Sequence, residues 1–147
     1  MNNPMTIGFS NAELERFRQQ LRKFNSKKTE KLKKVTKIAV HSIASGARRR
    51  CPRVTSRLYT SIRPVMGSTG LAGIVYTNVE YAPYVEFGTI ERVDVPTELT
   101  EYALQFKGRG IRKKGGRKAN PFLYPAFKEE VPKYIDAIKR VMQQEER

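Results

Sequence analysis

The run from about Lys28 to Arg49 is the strongest constraint on what this chain can fold into. Leu32, Val35, Ile38, Ala39, Ser42, Ile43 and Gly46 recur at three- and four-residue intervals, which predicts one face of a long helix. Lys27, Lys28, Lys31, Lys33, Lys34 and Lys37 crowd the remaining surface and repel one another at the same spacings. Such a helix must be held by packing of its apolar face rather than by its own stability. Arg48, Arg49 and Arg50 fall at its C-terminal end, where positive charge complements the helix dipole, and Pro52 is expected to end it.

Ahead of this run, Ser10-Asn11-Ala12-Glu13 fits a capping box, and Leu14, Phe17, Leu21 and Phe24 follow at helical spacing. Residues 1–27 are therefore expected to form an N-terminal helical arm. Beyond Pro52, Tyr59 to Met66 and Leu71 to Thr77 read as two strands joined by Gly67-Ser68-Thr69-Gly70, whose glycines permit positive backbone angles. Tyr81 to Phe87 is either a short helix, with Pro83 in its first turn and Gly88 as its stop, or a third extended segment. Val131, Tyr134, Ile135, Ile138, Val141 and Met142 predict a final helix from about Val131 to Gln144, with Pro132 in its first turn and Pro125 in a separate turn before it. These elements make an α+β fold: long N-terminal helices, a small antiparallel sheet, a C-terminal helix and a long basic loop.

At 147 residues the chain is expected to be a single domain spanning 1–147. A hydrophobic fraction of 39% predicts a folded core, while a mean hydropathy of -0.59 predicts that part of the chain stays solvated. Residues 90–120 are the natural place for the solvated part. Glu91, Asp94, Glu98 and Glu101 come first, and then Lys107, Arg109, Arg112, Lys113, Lys114, Arg117 and Lys118 alternate with glycine and no acid, a composition that cannot bury a core. This insert is expected to be flexible.

A formal net charge of +15 exceeds what solubility needs and points to a polyanion nearby: nucleic acid, an anionic membrane or an acidic protein surface. No stretch approaches the roughly 20 apolar residues of a membrane-spanning helix, and the N-terminus lacks the regions of a signal peptide, so a soluble protein made in the cytoplasm is expected.

Two blocks flank the insert: Tyr81-Ala82-Pro83-Tyr84-Val85-Glu86-Phe87-Gly88-Thr89 and Asn120-Pro121-Phe122-Leu123-Tyr124-Pro125-Ala126-Phe127. Aromatic residues set among Pro and Gly give rigid apolar surface with a fixed chain direction, which suits docking or assembly better than a reaction centre. Glu86 is the exception within them. Burying it among Tyr84, Val85 and Phe87 demands an arginine or backbone donors. It is either plainly exposed, paired inside the chain with Arg57 or Arg63 as candidates, or paired with a neighbouring subunit.

Residues that carry catalysis are scarce. Cys51 and His41 are each single in the sequence, so neither a disulfide nor a Cys/His zinc site can be built within the chain. Gly110 to Gly115 has the glycine spacing of a phosphate-binding loop but continues as Gly116-Arg117 instead of Lys followed by Ser or Thr. No Gly-x-Ser-x-Gly elbow is present, and Glu129 and Glu130 are adjacent on a helix and point apart. We expect no enzyme activity, no metal and no cofactor.

The order of these features resembles the phage tail-component family typified by gene product ten of the HK97 type of long-tailed phage. The resemblance starts at Cys51-Pro52-Arg53-Val54-Thr55-Ser56-Arg57-Leu58-Tyr59-Thr60-Ser61-Ile62, which is similar to an Ala-Pro-Val-x-Thr-Gly-x-Leu-x-x-Ser-Ile segment after a long basic helix. It continues through Tyr81, Ala82, Tyr84, Val85, Glu86, Phe87, Gly88 and Thr89, and then Pro121, Phe122, Leu123, Pro125 and Ala126. Ser56 stands in place of a glycine, Cys51 in place of an alanine, and Arg53 is inserted before Val54.

The resemblance implies a structural protein of the virion's head-to-tail junction, a neck or tail-completion subunit made in the host cytoplasm. It further implies a homo-oligomeric ring through which double-stranded DNA passes without sequence recognition, contacts with other neck, connector and tail proteins, and no membrane. Pro52, Thr55, Leu58, Tyr81, Tyr84, Glu86, Phe87, Gly88, Thr89, Pro121, Phe122 and Pro125 would then supply core or intersubunit contacts. The cations from Lys107 to Lys118 would face DNA or a partner. The rival reading is a free, sequence-independent nucleic-acid-binding protein, which composition also permits.

Overall fold

The computed structural model describes residues 5–7, 10–21, 26–53, 56–89, 97–105 and 118–144. In chain order the elements are β1 (Met5–Ile7), α1 (Asn11–Leu21), α2 (Ser26–Arg50), α3 (Ser56–Ser61), β2 (Arg63–Met66), β3 (Gly73–Thr77), α4 (Ala82–Phe87), α5 (Thr97–Leu104) and α6 (Leu123–Gln143). Helix dominates a small antiparallel sheet, the expected α+β class.

The expected capping box opens α1. The Ser10 amide and hydroxyl donate to Glu13 Oε2 at 2.8 and 2.6 Å, and the Glu13 amide donates to Ser10 Oγ at 3.3 Å. Residues 1–27 are not helical throughout, however, because β1 precedes α1 and pairs antiparallel with β3, Met5 opposite Thr77 and Ile7 opposite Val75.

The two long helices run antiparallel. At one end Lys31 Nζ donates to Gln144 Oε1 at 2.8 Å, and at the other Arg50 pairs with Glu129. They approach closely where Gly46 faces Ala126: a Cβ built on Gly46 would lie 3.2 Å from the Ala126 Cβ. Between these points the Thr36 hydroxyl lies 3.0 Å from the Tyr134 hydroxyl and donates to Leu32 O at 2.9 Å, so this buried polar pair across the interface is satisfied.

The inward face of α2 is rotated from the one its sequence suggests. Leu32, Ala39 and Ile43 are buried as expected, but Thr36, Val40, Ala44 and Ala47 join them, whereas Ile38 is 64% exposed and Ser42 is half-buried. Two neighbours set this choice, α6 on one side and the sheet on the other, and the sheet approaches so closely that a Cβ on Gly73 would meet Val40 Cγ2 at 2.6 Å.

The sheet order is β1-β3-β2, with Val65 opposite Ile74 and Met66 opposite Gly73. The Gly67–Gly70 turn closes through Gly67 N–H to Ala72 O at 2.8 Å, and of its two glycines only Gly70 takes a positive φ, +71°. Tyr59 to Ser61, expected as strand, instead ends the short helix α3. Its hydroxyls turn back onto the helix, Thr60 to Ser56 O at 2.9 Å and Ser61 to Leu58 O at 2.7 Å.

The larger core joins Val40, Ile43, Ala44 and Ala47 of α2 to Leu58, Ile62 and Val75, and to Val85, Phe87, Phe122, Leu123 and Ala126. A smaller cluster, Leu32 with Val141, Ile138 and Met142, seals the other end of the helix pair. Among the described residues no helix is long and apolar enough to cross a membrane.

Two further expectations need correction. Within the insert at 90–120, expected to be flexible, Thr97–Leu104 is helical, with Ala103 buried and Leu99 and Tyr102 packed against the core, while 90–96 and 106–117 lie outside the described residues. The C-terminal helix begins at Leu123, not Val131, so Pro125 lies in its first turn and Pro132 lies inside it on the exposed face.

Candidate assembly site

The two aromatic blocks, separated in sequence by the insert, meet in space around Glu86. The first block forms α4. Tyr81 is its N-cap, Pro83 occupies the first turn where its missing N–H costs nothing, and the Gly88 amide closes the helix onto Tyr84 O at 3.0 Å. Tyr81 to Phe87 therefore takes the helical alternative. Gly88 has φ +65° and ψ -178°, a region almost reserved for glycine. A Cβ there would fall 2.4 Å from the Ala119 amide nitrogen, so the position demands glycine for conformation and for space.

That close approach brings the second block alongside the first. The Asn120 amide donates to Val85 O at 2.8 Å, and the chain then enters α6. The Glu86 side chain, with a relative exposure of 1%, lies at the start of this helix. Its Oε2 accepts the amides of Phe122 and Leu123 at 2.8 and 2.9 Å, and its Oε1 accepts that of Tyr124 at 2.8 Å.

These bonds complete an account of the helix end. The first four N–H groups of an α-helix lack intrahelical partners. Here the N-cap Phe122 and the next two residues give theirs to Glu86, and the fourth position is Pro125, which has none. Glu86 thus acts as a capping residue supplied from more than thirty residues away. Burial pushes its carboxyl above the usual carboxylate range, and the three amides pull it back down. Of the alternatives for Glu86, plain exposure and an arginine pair are overturned, since Arg57 and Arg63 are themselves exposed and backbone donors hold the carboxylate.

Around this clamp, Phe87 and Phe122 are buried, and Phe87 meets the Tyr102 ring edge-on, centroids 5.9 Å apart at 77°. Tyr81, Tyr84, Thr89, Pro121 and Pro125 are half-buried. The Tyr102 contact was missed in the sequence, although Leu99, Tyr102 and Ala103 stand at helical spacing within the insert and carried the signal.

The first motif segment lies behind the clamp rather than in it. Leu58 is buried in the same core, Pro52 is half-buried, and Thr55 falls outside the described residues. Arg48 Nη2 donates to Ile62 O at 2.5 Å, the Arg53 guanidinium lies 5.6 Å from the Tyr59 ring centroid, and the Ser61 and Thr77 hydroxyls are 2.6 Å apart. The first contact ties the end of α2 to the residue before β2, and the last ties α3 to β3. Cys51 is buried, and burial pushes its thiol up, away from the reactive thiolate. His41 is exposed on α2. Of the basic tract, Lys118 is described and exposed, whereas Lys107, Arg109, Arg112, Lys113, Lys114 and Arg117 lie outside the described residues.

The arrangement can hold two blocks in one rigid unit. The buried carboxylate at its centre is committed to backbone amides.

No curated protein and no solved structure is significantly similar to the chain. The family described as "Bacteriophage HK97-gp10, putative tail-component" matches residues 15–88, half of the 147-residue chain, from within α1 to Gly88 at the end of α4. The chain therefore belongs to the HK97-gp10-like family of bacteriophage tail components.

Proposed function

We propose that this protein is a structural subunit of the head-to-tail connector, a neck or tail-completion protein that assembles as a ring around the DNA channel. The observation that carries the reading is the Glu86 clamp. The polar and aromatic residues that mark the motif blocks serve to fix one rigid body, and the charge of +15 is left for the surface. Family membership supports a virion structural role, free of catalysis.

Ring assembly draws support from apolar surface left uncovered by the single chain. The facing pair Val65 and Ile74 on the sheet are 43% and 41% exposed and help line an apolar groove of about 480 Å³ between α1, α2, α6 and the hairpin. The half-buried rings of Tyr81 and Tyr84 present further contact area. The cations from Lys107 to Lys118 face DNA or an acidic neighbour. Sedimentation of the purified protein, alone and with the other neck proteins of its phage, tests this reading. A closed oligomer in either condition is expected; a monomer in both would refute the ring.

A further inference from the structure

A second cationic surface, on α2 itself, lies within the described residues. Spanning Ser26–Arg50, α2 is about 37 Å long at 1.5 Å per residue. Opposite its buried stripe, Lys27, Lys31, Lys34 and Lys37 are all exposed, and the line continues through His41 to Arg49. Successive lysines of this line stand about 4.5 to 6 Å apart along the axis. The one carboxylate on the helix, Glu30, is engaged by Lys33 at 2.7 Å. Among the described residues no ion pair takes Lys27, Lys34 or Lys37, and Lys31 donates to the neutral Gln144.

Like charges at these spacings destabilise a helix. What holds them in a straight row is the packing on the other side, Leu32 and Ala47 fully buried and Thr36 tied to Tyr134. The result is a rigid cationic rail, with Ile38 the one exposed large apolar side chain along it. Lysine is depleted from protein–protein interfaces, where an apolar centre dominates. Regularly spaced point charges suit a phosphate backbone, which presents one negative charge per 1.7 Å or so of duplex axis. From Lys27 to Ile38 every cation is a lysine, which meets phosphate as a point charge, and no Asn or Gln is present to read adenine.

We propose that the exposed lysine face of the N-terminal half of α2 contacts the phosphates of double-stranded DNA without sequence preference. The inference rests on the connector reading and names the surface by which the subunit meets the DNA it surrounds. The contact positions the duplex and carries no sequence information.

The test measures binding of the full-length protein to a mixed-sequence duplex between about 50 and 200 mM salt, where each phosphate contact contributes roughly 0.9 to the slope of log affinity against log salt. The fourfold variant K27Q/K31Q/K34Q/K37Q is expected to lower that slope by about 3 to 4, so that the affinity lost across the range shrinks roughly 10²-fold. Its far-UV spectrum should match wild type, and its melting temperature should not fall, because the substitutions remove repulsion. The matching Lys→Arg variant, which keeps every charge, should keep the slope and guards against a folding defect. A wild-type slope in the glutamine variant would overturn the proposal. So would failure of the wild-type protein to bind duplex at all, or a glutamine variant that lost an acidic neck protein while keeping DNA. The connector reading fails separately, by the sedimentation result above.

Discussion

Replacing Glu86 by glutamine keeps the shape of the side chain but exchanges one acceptor oxygen for an NH2 donor. The carboxylate takes three amides, two on Oε2 and one on Oε1. In Glu86→Gln the remaining oxygen can still serve Phe122 and Leu123, but the new NH2 then faces the Tyr124 N–H, donor against donor. A buried donor left without an acceptor costs about 1–3 kcal/mol. Losing the charge removes its attraction to the positive end of α6 and also relieves the burial that pushes the carboxyl up, and these oppose one another. We therefore expect Glu86→Gln to destabilise by about 2 kcal/mol, a large part of the roughly 5–15 kcal/mol typical of a domain.

Glu86→Ala strands all three amides and should cost at least about 4 kcal/mol. Urea unfolding followed by far-UV circular dichroism measures both. Hydrogen exchange should accelerate first at Phe122, Leu123 and Tyr124. Glu129→Gln, which loses an exposed partner of Arg50, is the control and should stay within about 0.5 kcal/mol of wild type. If Glu86→Gln were equally silent, the capping account would be wrong.

The sign of the pH dependence at Glu86 follows from burial, which raises its folded pKa above the unfolded value. This group's contribution is complete below the ordinary glutamate pKa and declines as pH rises through the folded one, so wild type should lose ground to Glu86→Gln across that window in parallel urea titrations. Gly88→Ala should cost more than about 3 kcal/mol, combining a backbone region closed to alanine with a methyl 2.4 Å from the Ala119 nitrogen. Gly67→Ala, at negative φ and 3.3 Å from its nearest neighbour, should cost under about 1 kcal/mol in the same assay. Tyr134→Phe removes a hydroxyl from Thr36, which keeps its bond to Leu32 O, and should cost about 0.5–1.5 kcal/mol by thermal melting.

How far the sequence revealed this molecule depended on how local each cause was. The capping box at Ser10, the length of α2 and the Gly67–Gly70 turn follow from neighbouring residues, and all are present. The inward face of α2 was harder, because Ile38 and Val40 fit the helical period about equally, and the choice of Val40 is made by distant neighbours, α6 and the sheet at Gly73. Tyr59 to Ser61 has the aromatic and β-branched character of a strand, yet both edges of β3 are already paired, by β1 and β2, and the Ser and Thr hydroxyls close α3 locally. Pro125 read as a turn because its compatibility with a first helical turn depends on where the helix begins. That start is set by Glu86 from the other block, and no window of sequence around Leu123 contains it. That a buried Glu86 needs an arginine or backbone donors was legible from chemistry; which of the two serves it, and from where, was not.

The proposed connector role requires this chain to complete the joint between head and tail. Electron microscopy of lysates from phage depleted of this protein tests it most directly. The account predicts DNA-filled or leaking heads beside separate tails, with joined particles restored when the protein is supplied; joined, infectious particles formed in its absence would contradict it.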